Sequence, residues 1–291
     1  MAVMQIDGAT TLVGVYGHPI AHTASPAMHN AAFAALEMNW AYLAFDVNPA
    51  QLRPALCGAR DMGLRGINLT VPHKLLALEI VDELDAEARK LGAVNTVSIE
   101  AGKLRGFNTD GYGIAKAIKE EFNIGFKGKR VLVLGAGGAG RAIAVKAAID
   151  GALRVYVANR TMTKIGPIAA EIARTKAECR PIPLTTEALA TAVADVDLLI
   201  NATSVGLTGG ESLNLLPTLF RPELFVYDTI YRPAETELLK TAGESGARTA
   251  NGLSMLLHQG IKSFEIWTGR KAPLAVMRRA LRTAVYGEKN A

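Results

Sequence analysis

The run Val131-Leu132-Val133-Leu134 passes directly into Gly135-Ala136-Gly137-Gly138-Ala139-Gly140 and then into an alanine-rich stretch, so that strand, glycine turn and helix follow one another without a break. This order satisfies G-x-G-x-x-G in the context that gives the pattern its meaning. The first glycine permits the tight turn, the second lets backbone approach a pyrophosphate, and the third allows close packing of helix on strand. The helix N-terminus adds free N–H groups and a positive dipole end. A lone match of this kind often has a purely structural origin, but with strand, turn and helix in order a parallel, doubly wound unit that binds a dinucleotide is expected.

The surrounding pattern extends that unit. After the glycine helix come a strand at Arg154–Ala158, a helix, a strand at Asp197–Asn201 and a strand at Phe225–Tyr227. Before it, the first hundred residues alternate β-rich runs with helical patterns, as βα units on a mainly parallel sheet do. Strands are expected at Leu12–Tyr16, Ala41–Asp46 and Gly66–Val71, a helix over Pro26–Leu36 with Ser25 as its N-cap, and a helix over Asp82–Leu91 stopped by Gly92. A hairpin follows, from Val94–Ile99 to Leu104–Phe107, and then a helix through Phe122. Residues Asn251 to Tyr286 read as helices broken near Gly269 and Pro273, too few for a third domain, and are expected to pack back on the first.

Composition narrows the class. Of 291 residues 49% are hydrophobic and 20% charged, ample for a core. The formal charge of +5 would permit nucleic acid or another anionic partner, but the basic residues are scattered, with only short clusters such as Lys127, Lys129 and Arg130, and a small anionic ligand explains them equally well. The two cysteines, Cys57 and Cys179, lie far apart with no Cys or His at ligand spacing, so neither a disulfide framework nor a metal site is indicated, and a reducing cytoplasm is expected. No basic leader precedes an apolar stretch, and no apolar run approaches the roughly 18 residues that would suggest a membrane span.

Sites that prefer NAD usually place an acid about 20 residues past the glycine turn, to accept from the ribose hydroxyls. Here Asn159-Arg160-Thr161 stands there, with Lys164 one turn later. A guanidinium binds a 2′-phosphate through paired donors where a carboxylate would repel it, so NADP is expected over NAD. By residue type alone a solvated surface arginine is the commonest fate for Arg160; its place beside the glycine loop overrides that and gives it the phosphate-binding role.

Candidates for chemistry lie earlier. Pro72 ends the apolar run Gly66–Val71, which puts Lys74 in the first turn of the next helix, where the dipole disfavours a cation and favours proton exchange. From local sequence a lysine snorkelling to water is the simpler account. Asp110, in Asn108-Thr109-Asp110-Gly111, opens another helix and reads equally as an N-cap. Thr23 and Ser25 are two hydroxyls in an irregular segment, able to bind a carboxylate, although Ser25 alone reads as a cap. The five histidines show no metal-ligand spacing beyond His18 and His22, in a segment broken by Pro19.

Taken in order, the runs Gly17 to Pro26, Asn68-Leu69-Thr70-Val71-Pro72-His73-Lys74, Gly92-Ala93-Val94-Asn95-Thr96 and Asn108-Thr109-Asp110-Gly111 resemble the shikimate dehydrogenase family. So do the glycine loop, Asn159-Arg160-Thr161, Ile200-Asn201-Ala202-Thr203, Tyr227-Asp228 with Tyr231, and Asn251-Gly252-Leu253 with Gln259, and the likeness spans almost the whole chain. The resemblance implies an α/β chain of two domains: a substrate domain of residues 1–109 with 253–291, and a Rossmann-type NADP domain of residues 110–252. It implies NADPH-dependent reduction of 3-dehydroshikimate to shikimate on the route to chorismate and the aromatic amino acids. Lys74 and Asp110 are then the catalytic pair, and Thr23, Ser25, Thr70, Asn95, Tyr231 and Gln259 bind substrate. Gly135, Ala136, Gly137, Gly138, Ala139, Asn159, Arg160, Thr161, Lys164, Ala202, Thr203 and Gly252 hold the cofactor, in a site between the domains that closes on its ligands. Thr23 stands where the family more often has serine, so the fit around the substrate carboxylate differs by a methyl group. The expected state is a monomer or homodimer. Three rivals stand beside this reading: a quinate or aminoshikimate dehydrogenase with the same chemistry, a non-catalytic NADP-sensing module, and methylenetetrahydrofolate dehydrogenase. A sensor needs neither Lys74 nor Asp110, and the Asn-Thr-Asp-Gly run does not belong to the third.

Overall fold

Alternating apolar strands and helices with apolar faces produce two α/β units, which the computed structural model describes over residues 6–207, 213 and 215–287. One compact unit comprises Met1–Gly113 with Leu256–Ala291, the other Ile114–Met255.

The first unit is built on strands β1 (Thr11–Gly17), β2 (Trp40–Asp46), β3 (Gly66–Leu69), β4 (Glu83–Leu84), β5 (Thr96–Glu100) and β6 (Lys103–Phe107), in the spatial order β2-β1-β3-β5-β6-β4. β1 pairs parallel with both β2 and β3, β5 runs antiparallel to β3 and β6, and β4 is parallel to β6. The hairpin between β5 and β6 turns through Ala101 and Gly102, both at positive φ (49° and 72°), as a two-residue connection requires. Its helices are α1 (Ser25–Ala35), α2 (Leu52–Asp61), α3 (His73–Leu76), α4 (Ala86–Leu91), the first residues of α5 (Asp110–Phe122), and most of α10 (Leu253–Thr268), followed by α11 (Leu274–Tyr286). The C-terminal helices do return: α11 packs on α1, Phe264 stacks on Phe33, and Trp267 Nε1 donates to the Val97 carbonyl at 3.0 Å. A second apolar cluster of this unit gathers Leu52, Leu56, Ile67, Leu69, Val97 and Leu104.

The second unit carries β7 (Arg130–Leu134), α6 (Gly138–Ile149), β8 (Arg154–Asn159), α7 (Gly166–Ile172), β9 (Glu178–Pro183), α8 (Thr186–Asp195), β10 (Leu198–Asn201), β11 (Phe225–Asp228), α9 (Glu237–Glu244) and β12 (Arg248–Ala250). Its sheet runs β12-β11-β10-β7-β8-β9 with every pairing parallel. The chain winds outward from β7 first to one side and then to the other, so the connection after β7 sits at the topological switch point, where such sheets bind ligands. Val131–Leu134 of β7 and all of β10 are buried, apolar but for Asn201, as the centre of a sheet covered on both faces demands.

Three local expectations are corrected. The helix expected over Asp82–Leu91 starts only at Ala86, with Asp85 as its side-chain cap, because Glu83–Leu84 pairs with β6 and Asp82 accepts from the Leu104 N–H at 2.7 Å. Ser25 is not the cap of α1: Ala24 holds that position without a side-chain bond, and Ser25 is the first helical residue. Strand β3 ends at Leu69, and Val71 is exposed in the turn ahead of Pro72.

Candidate functional site

In the first unit, β1 and β3 are adjacent parallel strands, and their carboxyl ends, Tyr16 and Leu69, are partners in register. Two connections leave this edge. From β3, Thr70 and the Val71–Pro72 turn lead into the single turn of α3, where His73 N–H donates to the Thr70 carbonyl at 2.8 Å and Lys74 follows. The lysine backbone is fixed from the other side, since Val94 N–H donates to its carbonyl at 2.9 Å.

The Lys74 ammonium meets Asp110: Nζ lies 2.6 Å from Oδ2, with side chains 14% and 4% exposed. Neither simpler account survives this geometry. Lys74 does not snorkel, and Asp110 does not cap α5, because Asn108 does: its Oδ1 accepts from the N–H groups of Asp110 (3.0 Å) and Gly111 (3.2 Å). That substitution of caps frees both carboxylate oxygens of Asp110 for side-chain partners. A helix of four residues has little dipole to set against a carboxylate at contact distance.

Asn95 organises the far side of the carboxylate. Its amide donates to Asp110 Oδ1 and Thr109 Oγ1, both at 2.9 Å, while its oxygen accepts from Thr109 N–H at 2.7 Å. Gln259 Oε1 lies 3.5 Å from both Asn95 Nδ2 and Thr109 Oγ1. Behind these, Thr96, Thr109 and Ser263 form a closed set of buried hydroxyls at 2.8 to 3.3 Å, joined through Asn68 to the Tyr42 phenol. Burial pushes the Tyr42 phenol up, with the Ser25 hydroxyl acting in the opposite direction, and Ser25 is itself buried. Thr23 Oγ1 accepts from Ser25 N–H at 3.3 Å, which leaves its own proton available to a ligand. Lys74, Asp110, Asn95 and Gln259 are thus brought into one hydrogen-bonded cluster, with Thr70 in the turn that carries Lys74.

In the second unit Gly135 adopts φ +101°, and a side chain there would meet the Ala202 carbonyl at 2.9 Å. A Cβ on Gly140 would lie 2.1 Å from the Gly135 oxygen, whereas Gly137 has nothing within 4 Å. The loop is therefore closed on its strand side and open where backbone must approach a pyrophosphate, and the start of α6 has no side-chain cap to compete for its N–H groups. Asn159 Oδ1 accepts from Ala136 N–H at 3.2 Å while its amide donates to the Thr161 carbonyl at 2.9 Å, joining the glycine loop to the turn that presents Arg160, Thr161 and Lys164, all exposed. These residues fit a phosphorylated dinucleotide. At the end of β10, Asn201 Oδ1 accepts from both N–H (3.0 Å) and Oγ1 (2.7 Å) of Thr203. Tyr231 lies three residues past the end of β11, half-buried. Gly252 N–H donates to the Ile230 carbonyl at 3.1 Å, and a Cβ at Gly252 would lie 2.0 Å from the Thr229 oxygen.

Sequence reasoning missed Asn108, although Asn two residues ahead of a helix is a cap signal. It also missed the roles of Thr96 and Ser263, for which no local signal exists. Among the described residues no group of three or more His, Cys, Asp and Glu side chains gathers at metal distance, and no helix is long and apolar enough to cross a membrane.

Comparison with known proteins covers most of the chain. Residues 15–97 match the model of the shikimate dehydrogenase substrate binding domain, 115–208 that of shikimate / quinate 5-dehydrogenase, and 252–282 that of the shikimate 5′-dehydrogenase C-terminal domain. A shikimate dehydrogenase (NADP(+)) of Methanopyrus kandleri is 43% identical over 281 residues, 96% of this chain and 97% of the relative. Among solved structures, shikimate 5-dehydrogenase of Listeria monocytogenes in complex with shikimate and NAD superposes with a TM-score of 0.88 at 38% identity, over 96% of this chain and 99% of that one. The enzyme of Thermus thermophilus in complex with NADP(H) and shikimate gives 0.83 at 39% identity, over 94% and 99%.

Proposed function

The chain belongs to the shikimate dehydrogenase family, and on that premise we propose that it catalyses the reversible NADPH-dependent reduction of 3-dehydroshikimate to shikimate, in the biosynthesis of chorismate and the aromatic amino acids. The observation that supports this most is the contact of Lys74 Nζ with Asp110 Oδ2 at 2.6 Å, with Asn95 holding Oδ1 at 2.9 Å.

Ketone reduction needs a donor that protonates the oxygen as it gains charge. An ammonium has three protons, and Lys74 commits one to Asp110. The remaining two point the group at a carbonyl oxygen without cost in rotamer freedom, because the carboxylate already fixes the lysine. Lys74 gives its proton to the C3 oxygen, the C–O bond becoming a hydroxyl, and Asp110 steadies the side chain through the transfer. In the reverse direction the neutral amine takes that proton back.

NADPH, when bound, supplies the hydride to C3. Backbone N–H groups of Gly137, Gly138 and Ala139 would hold its pyrophosphate, with Gly135 and Ala136 shaping the turn through their own N–H bonds to the Ala158 carbonyl and Asn159 Oδ1; Asn159, Arg160, Thr161 and Lys164 would hold its adenosine 2′-phosphate end, and Ala202, Thr203 and Gly252 its nicotinamide end. Thr23 and Ser25 would take the substrate carboxylate, and Thr70, Asn95, Tyr231 and Gln259 its ring hydroxyls. In this reading residues 1–109 with 253–291 serve the substrate and 110–252 the dinucleotide, and the enzyme works in the cytoplasm as a monomer or homodimer.

Initial rates with shikimate, quinate and aminoshikimate, each against NADP and NAD, test the proposal. Shikimate with NADP should give the highest kcat/KM. Faster turnover of quinate or aminoshikimate would transfer the activity to that substrate, and no change of absorbance with any pair would leave the sensor reading.

A further inference from the structure

A carboxylate with no solvent exposure and, among the described residues, no cation at its oxygens is costly to keep, and Asp228, the last residue of β11, is one. It is satisfied by three donors. Oδ1 accepts from Asn201 Nδ2 and from Ile230 N–H, each at 3.0 Å, and Oδ2 accepts from Thr236 Oγ1 at 2.7 Å. Burial pushes its carboxyl up while those three bonds favour the charged form. The partners belong to the segments that leave the sheet after β10 and β11, and two of them, Asn201 and Ile230, lead to residues assigned above to ligand binding.

We propose that Asp228 is a positioning residue for the dinucleotide site, its carboxylate setting the connections that carry Thr203, Tyr231 and Gly252. The inference rests on the cofactor reading given above. One branch runs through Asn201. Because its Nδ2 must face Asp228, its Oδ1 is turned toward Thr203, where it accepts from both N–H and Oγ1, and Thr203 Oγ1 in turn accepts from Val205 N–H at 3.1 Å. Remove the carboxylate and the Asn201 amide loses its 3.0 Å anchor, keeping on the nitrogen side only the longer bond to the Val205 carbonyl at 3.3 Å. The other branch runs through Ile230, whose N–H is held by Asp228 and whose carbonyl accepts from Gly252 N–H at 3.1 Å. Thr236 closes the far end: its hydroxyl donates to Asp228 and accepts from Leu239 N–H at 3.4 Å at the start of α9. An apolar side chain could fill the volume of Asp228. It could not orient three donors from three segments.

Asn is the discriminating replacement. In Asp228→Asn the side-chain oxygen can still accept from Asn201 and Ile230, and the new amide can donate to the Thr236 hydroxyl, so geometry survives the loss of charge. Asp228→Ala leaves all three donors unpaired. Titration of the full-length chain with NADPH, followed by fluorescence at a temperature below the melting transition of every variant, gives the test. Asp228→Ala should weaken NADPH by about tenfold or more, the equivalent of one lost hydrogen bond to a charged group, and Asp228→Asn by less than about threefold. Circular dichroism establishes that the variants are folded. If Asp228→Ala does not fold, Thr236→Val removes the donor at Oδ2, together with the acceptor for Leu239 N–H, leaves the two donors at Oδ1 in place, and should weaken NADPH about threefold. Wild-type affinity in the folded Ala variant, or in Thr236→Val where it replaces it, overturns the assignment. So do equal losses in Ala and Asn, which would make the charge and not the geometry responsible. Failure of the wild-type chain to bind NADPH would overturn the cofactor reading itself, and this inference with it.

Discussion

Asn95 donates to Oδ1 of Asp110 at 2.9 Å, which leaves Oδ2 to Lys74. The two oxygens of one carboxylate are thereby given different partners, and the ammonium has one place to sit. Replacing Asn95 with leucine keeps volume and removes both the donor to Asp110 and the acceptor for Thr109 N–H. The expected fall in kcat is roughly 10- to 100-fold, the range of one lost hydrogen bond to a charged group. Steady-state kinetics beside NADPH titration will decide: a drop in kcat with unchanged NADPH affinity is expected, and unchanged kcat would remove Asn95 from the site.

Lys74→Ala should lower kcat by roughly 10²- to 10⁴-fold, the span of general acid–base catalysis, while NADPH binding stays near wild type. Asp110→Asn should retain more activity than Lys74→Ala, since the amide oxygen can still accept from the ammonium. A Lys74→Ala enzyme with normal turnover would eliminate the lysine from the chemistry.

Cofactor choice is carried by Arg160, exposed on the turn that Asn159 ties to the glycine loop. In Arg160→Asp a carboxylate repels the 2′-phosphate, and the ratio of kcat/KM for NADP to that for NAD should fall roughly 10- to 100-fold or more. An unchanged ratio would place the discrimination elsewhere.

His29 is fully buried, stacked at 4.3 Å on Tyr42, and burial pushes its imidazole down from 6.5 to about 3. The unfolded chain therefore binds a proton at this residue between those two values and the folded chain does not. Its contribution to stability is complete above pH 6.5 and lost as pH falls from 6.5 toward 3, at up to about 1.4 kcal/mol per pH unit. His29→Phe preserves the stacking and cannot titrate. Urea unfolding at pH 7 and pH 5 should show a smaller acid loss in the variant, and parallel losses in both proteins would refute the assignment.

Gly66 leaves space for Trp267, whose Nε1 would lie 2.1 Å from a Cβ at that position and is already held by the Val97 carbonyl at 3.0 Å. The indole cannot move aside without breaking that bond. Gly66→Ala should cost about 1–3 kcal/mol or more by overpacking, seen as a lower urea midpoint; an unshifted midpoint would mean that the indole relocates freely.

What could be read from the chain alone is what depends on neighbours in sequence. Val131 to Gly140 specify strand, turn and helix within ten residues, since glycine stereochemistry and apolar periodicity are local, and the absent acid at Asn159-Arg160-Thr161 is local as well. The order of motifs that resembles one family is likewise a property of the string. Tertiary structure decided the rest. Glu83–Leu84 is a strand because β6 lies beside it, against a helical pattern. Lys74 meets Asp110 because the fold brings the turn after β3 to the start of α5, 36 residues away. Asn68 meets Ser263 across 195 residues of chain, and Asn201 meets Asp228 only after two parallel strands align their ends. A buried polar group must find its partner wherever the fold brings one, and sequence distance carries no record of that search.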